Sequence, residues 1–172
     1  MVIRKENKSD YDEIYELVKQ SFATTDFSDG TEADYLNEIR KKNTFIPELS
    51  LVAENEEGKL VGQIVLYKMT IMSTEGEYTE LVLSPISVHP DYFGRGIASK
   101  LINESFFIAK NMGYKAVFLC GNPNFYSKFG FKPSYQYNIF HIEDESKKAD
   151  YCMVHELIEG ALSGVSGKVE IL

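Results

Sequence analysis

One stretch constrains this chain more than any other: Leu81 to Gly113, LVLSPISVHPDYFGRGIASKLINESFFIAKNMG. It reads as an apolar strand (Leu81, Val82, Leu83, Ile86, Val88) closed by Pro90 and Asp91, then a tight glycine loop, then an amphipathic helix. In the loop Phe93-Gly94-Arg95-Gly96-Ile97-Ala98, neither glycine carries a Cβ, so the backbone is free to turn sharply and lie close to a ligand. The helix is expected to bury Ile97, Leu101, Ile108 and Met112, flanked by Ala98, Ile102, Phe106 and Ala109, and to end at Gly113. A strand that feeds a glycine loop opening a helix leaves several N–H groups converging at the positive end of a helix dipole. That is a phosphate site.

Two phosphate-binding readings fail on the residues. A Walker A loop needs Gly-x-x-x-x-Gly-Lys-Ser/Thr, which is absent here. Gly94-x-Gly96-x-x-Ser99 approximates a dinucleotide fingerprint, but that fingerprint needs an acid about 20 residues on to hold a ribose. Glu104 is followed by no Asp or Glu until Glu143. What remains is a pyrophosphate cradled by backbone amides.

With those residues in hand, the loop resembles the Gln/Arg-x-x-Gly-x-Gly/Ala signature of the GNAT N-acetyltransferase superfamily, with Gly96 and Ala98 on its two small positions and Phe93 where Gln or Arg usually stands. A second segment, Gly121-Asn-Pro-Asn-Phe-Tyr-Ser-Lys-Phe-Gly-Phe131, is similar to the family's closing motif, a Phe-Tyr pair on a short helix before a Gly-Phe strand. The resemblance implies a single α/β (α+β) domain over residues 1–172 in the order β-α-α-β-β-β-α-β-α-β-β. Its central mixed sheet is splayed between strands 4 and 5, where the pantetheine arm of acetyl-CoA inserts. Pro85 suits a bulge at that splay, or an ordinary edge, since proline donates no ladder hydrogen bond.

Periodicity alone gives a mixed α/β chain. Met1–Arg4 reads as a strand; Ser9 with Asp12 reads as the cap of a first helix through Ile14, Leu17, Val18 and Phe22. Residues 23–30 form a polar loop, and a second helix runs from Thr31 to Lys42. Strands are expected at Leu49–Ala53, Leu60–Met72, Ala116–Leu119 (parallel to the central strand), from Phe131, and at Tyr151–Leu157, with a helical turn at Asn124–Lys128. The segment from Gly160 to Leu172 reads as one extra edge strand.

Composition bounds the partners. A chain of 172 residues, 44% hydrophobic and with net charge −8, has a real core and an acidic surface unsuited to a nucleic-acid backbone. Between Phe93 and Ile142 six basic residues face the single acid Glu104, a net +5, so the remainder carries −13. A positive half on an acidic chain suits a polyanion such as coenzyme A; lysines solvating helix faces explain it equally. Cys120 and Cys152 are too few for a disulfide framework, no paired metal spacing exists, and the expectation is that no metal is bound. With no apolar leader and no run of ~20 apolar residues, a cytoplasmic chain with no membrane partner is expected, as monomer or homodimer.

The resemblance assigns the chemistry. Main-chain groups of Ile86, Ser87 and Val88 would pair with pantetheine as a false strand, the Val88 N–H would polarise the acetyl carbonyl, and Phe93, Gly94, Arg95, Gly96, Ile97, Ala98 and Ser99 would hold the diphosphate. Tyr126 would act as general acid to the departing thiolate, or pack as one of 11 tyrosines against Phe125 and Phe129. Asn122 would bind the pantetheine amide or order a water, or else serve loop structure alone. Glu80 stands as candidate base or as an exposed strand-end glutamate, and His89 as a surface group. His141, His155 and both cysteines read as structural. The acceptor is an unidentified amine on a small molecule or peptide. A non-catalytic coenzyme A binding or sensor module is the competing reading.

Overall fold

The computed structural model describes residues 1–26 and 28–171. Phe27, in the polar loop expected at 23–30, and Leu172, at the end of the last expected strand, lie outside the described residues. Thirteen elements follow in chain order: β1 (Val2–Lys5), α1 (Tyr11–Phe22), α2 (Glu32–Ile39), β2 (Ser50–Glu54), β3 (Leu60–Ser73), β4 (Gly76–Val88), α3 (Ile97–Asn111), β5 (Ala116–Cys120), α4 (Pro123–Tyr126), β6 (Lys132–Pro133), β7 (Ile139–His141), β8 (Cys152–Glu156) and β9 (Gly167–Val169). They fall into two compact units, residues 1–66 with 84–108, and residues 67–83 with 109–172.

In the first unit the sheet runs β1-β2-β3-β4. β1 pairs antiparallel with β2, and β2 with β3 across Ser50↔Val65 to Glu54↔Leu60, with an irregularity at Ala53/Glu54. The alternation of β2 and β3 is submerged because both faces are covered, so Leu51, Val52, Val61, Ile64 and Val65 are all buried. Ile14, Leu17 and Val18 of α1 and Leu36 and Ile39 of α2 supply apolar stripes at helical spacing. The start of α1 differs from the Ser9–Asp12 expectation. A 3-10 turn over Lys8–Asp10 precedes it, and Asp10 accepts from the Asn7 N–H at 2.7 Å. The cause is Arg4, whose guanidinium grips Asp10 at 2.8 and 3.0 Å and so pins the helix entry to β1. Similarly α2 stops at Ile39, short of Lys42, where the Arg40 side chain turns into a buried pair with Glu6 at 2.8 Å and stacks on Tyr11.

The second unit holds the sheet order β3-β4-β5-β8-β6, with β9 beside β3 and β7 beside β9. β4 and β5 run parallel, as a helical crossover between them demands. Its core gathers Ile71, Val82, Phe118, Ile139, Val154, Leu162 and Val169. β7 was not foreseen. Its three residues are too few to show a period, and they pair with β9 across Ile139↔Gly167 to His141↔Val169. The expected edge strand at the chain end is also corrected: β9 lies between β3 and β7, with Val169 fully buried. The strand expected from Phe131 shrinks to Lys132–Pro133, because Pro133 cannot donate and a 3-10 turn follows.

Along α3 the buried face runs through Ile97, Leu101, Ile102, Ser105 and Ala109. Met112, expected in that stripe, is 45% exposed, because the helix ends at Asn111 and Gly113 turns the chain away at φ +96°. No helix among the described residues is long and apolar enough to cross a membrane.

Candidate functional site

The first unit holds Ile86, Ser87, Val88 and the residues from Phe93 to Ser99. Ser87 is buried, and its hydroxyl oxygen accepts from Gln63 Nε2 at 3.0 Å, which orients the end of β4 from β3. Ile86 and Val88 are half-buried. The strand is closed by the His89 N–H, which donates to the Val61 carbonyl at 2.9 Å. The imidazole of His89 is turned inward to its own turn, Nδ1 accepting from the Asp91 N–H at 3.2 Å. It is mostly covered rather than the surface group expected.

The loop itself is open. Gly94 and Gly96 adopt φ +75° and +78°, the left-handed region that disfavours any side chain. A Cβ built on either meets nothing within 4 Å beyond its own chain neighbours. Among the described residues none accepts from the main-chain N–H of Gly94, Arg95 or Gly96. The first turn of α3 adds further N–H groups without an intrahelical partner. The Arg95 guanidinium stacks over the Tyr92 ring at 4.7 Å, and the Tyr92 hydroxyl accepts from Asn55 Nδ2 at 3.0 Å, so a second layer fixes the loop's base. Phe93 is 52% exposed.

Sequence reasoning missed Gly62. A Cβ there would stand 2.8 Å from Ile97 Cγ2, 3.0 Å from Leu101 Cδ1 and 3.4 Å from the Ser87 carbonyl. The absence of a side chain on β3 is what lets the start of α3 come down beside the end of β4. A lone glycine inside an apolar strand was the available signal.

The second unit holds Glu80, Asn122 and Tyr126. Glu80 is buried, and its Oε2 accepts from the main-chain N–H groups of Lys115 (2.8 Å) and Ala116 (3.0 Å). Burial pushes its carboxyl up, against the pull of those two donors. It therefore ties β4 to the first residue of β5. Just beyond, the β4–β5 ladder is registered at Leu81↔Val117 and Val82↔Phe118, and β4 runs on to Val88 without a further registered β5 partner among the described residues.

Past β5, the Asn122 Oδ1 accepts from the Asn124 N–H at 2.9 Å and so caps α4. Tyr126 stands edge-on to Phe125 at 4.9 Å and to Phe131 at 5.9 Å. Burial pushes its phenol up to about 12, which keeps the O–H protonated across the neutral range. Its ring lies over Gly121, where a Cβ would stand 2.6 Å from Tyr126 Cε2. Gly121 is a second residue missed, although it opens the motif that pointed to Tyr126. His141 is buried, with Nε2 2.9 Å from the Ile171 carbonyl; His155 lies 3.2 Å from the Gly130 carbonyl. Among the described residues no cluster of three or more His, Cys, Asp or Glu is arranged to hold a metal ion.

The sequence model of the acetyltransferase (GNAT) domain matches residues 2–134. This chain belongs to the GNAT acetyltransferase family. It is 30% identical over 171 residues to the uncharacterized N-acetyltransferase YhbS of Escherichia coli K12, covering 99% of this chain and 95% of that one. It is 32% identical over 127 residues to the uncharacterized N-acetyltransferase YjhQ of the same strain, 74% of this chain and 67% of the other. Among solved structures, E. coli YhbS in complex with CoA superposes with TM-score 0.85 at 27% identity, covering 99% of this chain and 89% of that one. A GNAT family acetyltransferase from Brucella melitensis in complex with acetyl-CoA gives TM-score 0.77 at 26% identity, over 99% and 95%. The expected architecture, a mixed sheet with parallel β4 and β5 under flanking helices, is the one observed.

Proposed function

We propose that this chain, working as one domain, transfers the acetyl group of acetyl-CoA to an amine by direct attack in a ternary complex. The observation that carries this reading is the open left-handed turn at Gly94 and Gly96 ahead of α3, on a strand that outruns its parallel neighbour. The residues fit the donor: N–H groups from Gly94 to Ser99 suit a diphosphate without a metal. Main-chain groups of Ile86, Ser87 and Val88 suit the amides of a pantetheine arm, and the Ser87 side chain is already committed to Gln63. CoA and acetyl-CoA are bound by the two similar solved proteins.

In the reaction the amine nitrogen attacks the thioester carbonyl carbon as the Val88 N–H takes up the charge developing on oxygen. A comparable oxyanion donor elsewhere is worth about 3–4 kcal/mol. The C–S bond breaks, the Tyr126 O–H supplies the proton that the leaving thiolate takes, and the proton lost by the acetylated nitrogen restores the phenol. Tyr126 suits that part because its hydroxyl stays protonated at neutral pH. Glu80 serves the joint between β4 and β5 through Oε2, so the amine is taken to arrive deprotonated and Glu80 is not required as its base. Asn122 acts through the cap of α4, which carries Tyr126.

The test is thiol release from acetyl-CoA with a panel of polyamines, amino acids, aminoglycosides and peptide N-termini, read with a chromogenic thiol reagent and by acceptor mass. Amine-dependent release with an acetylated product is expected. Tight binding of acetyl-CoA with no release for any amine would turn the assignment to a coenzyme A binding module, which Phe93 in place of the usual Gln or Arg favours.

A further inference from the structure

The two cysteines, distant in sequence, face each other across the second unit. β5 and β8 run antiparallel with Cys120 opposite Cys152. The ladder's hydrogen bonds fall on the alternate rungs, Gly121 N–H to the Tyr151 carbonyl at 2.9 Å and Leu157 N–H to the Lys115 carbonyl at 2.8 Å. Cys120 and Cys152 therefore form a non-hydrogen-bonded pair, the kind whose Cα atoms approach to about 4.5 Å and whose side chains share one face. That separation lies inside the roughly 4.4–6.8 Å that a disulfide spans. Cys120 is exposed at the strand's end while Cys152 is 1% exposed.

We propose that Cys120 and Cys152 are a reversible modification site, closing a cross-strand disulfide by exchange with a low-molecular-weight disulfide such as oxidised glutathione. Cys120, the accessible sulfur, attacks one sulfur of the glutathione disulfide; that S–S bond breaks and one glutathione leaves with the proton Cys120 gives up. Cys152 then attacks the Cys120 sulfur, the mixed disulfide breaks, and the second glutathione leaves with the proton of Cys152. Two protein thiols are oxidised as one glutathione disulfide is reduced to two thiols.

The surroundings suit this order. The S–H of Cys120 and the hydroxyl of Ser134 both donate to the Cys152 sulfur, with His141 beside it and Asp144 opposing, and hold it down to about 7. A buried sulfur with thiolate character is a competent resolving group. The same contact, with burial, pushes Cys120 up, so its proton comes off only as its sulfur attacks and leaves with the first glutathione, and Cys152 keeps its thiolate character for the second step. The closed bond would loop out Gly121 to Tyr151, the segment that carries α4 and Tyr126.

Equilibrating the full chain with oxidised glutathione, quenching in acid and counting thiols in denaturant, with intact mass and peptide mapping, decides the matter. The expected product has no free thiol, a mass lower by two hydrogens, Cys120 and Cys152 peptides linked, and a melting temperature raised by several degrees through the constrained unfolded chain; dithiothreitol reverses all four. Cys152→Ser should stop at a stable glutathione adduct on Cys120, and Cys120→Ser should leave Cys152 unmodified while folded. Two free thiols in the wild-type chain after equilibration, a persisting glutathione adduct on wild-type Cys120, or disulfide-linked pairs of chains would each overturn the proposal. The wild-type masses decide it even where a variant fails to fold.

Discussion

At the scale of single residues, Tyr126 carries the most chemistry for its surroundings. The aromatic edges of Phe125 and Phe131 and the bare backbone of Gly121 remove water from the ring, and that desolvation raises its phenol to about 12 from an ordinary value near 10. The raised value means the fold favours the protonated form. The stability tied to it is intact below about pH 10 and is lost as pH climbs through about 12. Tyr126→Phe should therefore flatten the alkaline fall in stability, followed by denaturant melts from neutral pH upward. On the proposed reading it lowers turnover about 10²-fold with acetyl-CoA affinity nearly unchanged. Equal losses in turnover and affinity would instead make Tyr126 a binding residue. The phenol was legible in the sequence as half of a Phe-Tyr pair. Its environment was not, because Phe131 and Gly121 reach the ring through the turn and not through any period.

At the scale of elements, the sequence showed the strand, glycine loop and helix plainly, since each has its own signature over ten or more residues. The joints between elements were invisible in it. Glu80 reads as an exposed strand-end acid, yet it bonds two N–H groups some 35 residues away at the start of β5, a pairing that no local pattern encodes. Removing its carboxylate leaves both donors unsatisfied. Glu80→Ala is expected to cost about 1–3 kcal/mol in urea unfolding, with Glu80→Gln, which keeps an accepting oxygen, near the wild type. A Glu80→Gln protein as unstable as Glu80→Ala would mean that charge, not acceptance, matters. Gly62 is a joint of the same kind. Gly62→Val would drive methyl groups into Ile97 and Leu101, and about 1–3 kcal/mol of destabilisation is expected, with a weaker hold on acetyl-CoA from the displaced start of α3. Calorimetric titration reads the second effect apart from the first. Strand β7 escapes the sequence, and β9 reads there as an edge rather than an interior strand, for a related reason: three-residue strands gain their place from partners, Ile139 against Gly167 and Ile71 against Val169.

At the scale of the whole molecule, family membership rests on a match across residues 2–134 and on relatives aligned along 99% of the chain. The first two helices, the loop around residues 23–30 and the last strands carry no motif that names an acceptor, and for that reason the amine must come from screening. On the proposed reading the donor side is different, because it rests on the main chain at Gly94 and Gly96. The most direct measurement is the melting temperature of the wild-type chain and of Gly96→Glu, with and without acetyl-CoA at ~100 times its dissociation constant. Such saturation adds about 2.7 kcal/mol, a rise of roughly 5–10 °C for a chain this size. The wild type should show that rise. Gly96→Glu, which puts a side chain on a left-handed residue and a negative charge where the diphosphate would sit, should melt within a few degrees of the unliganded wild type and show no rise. No shift in the wild type, or an equal shift in both, would contradict the account.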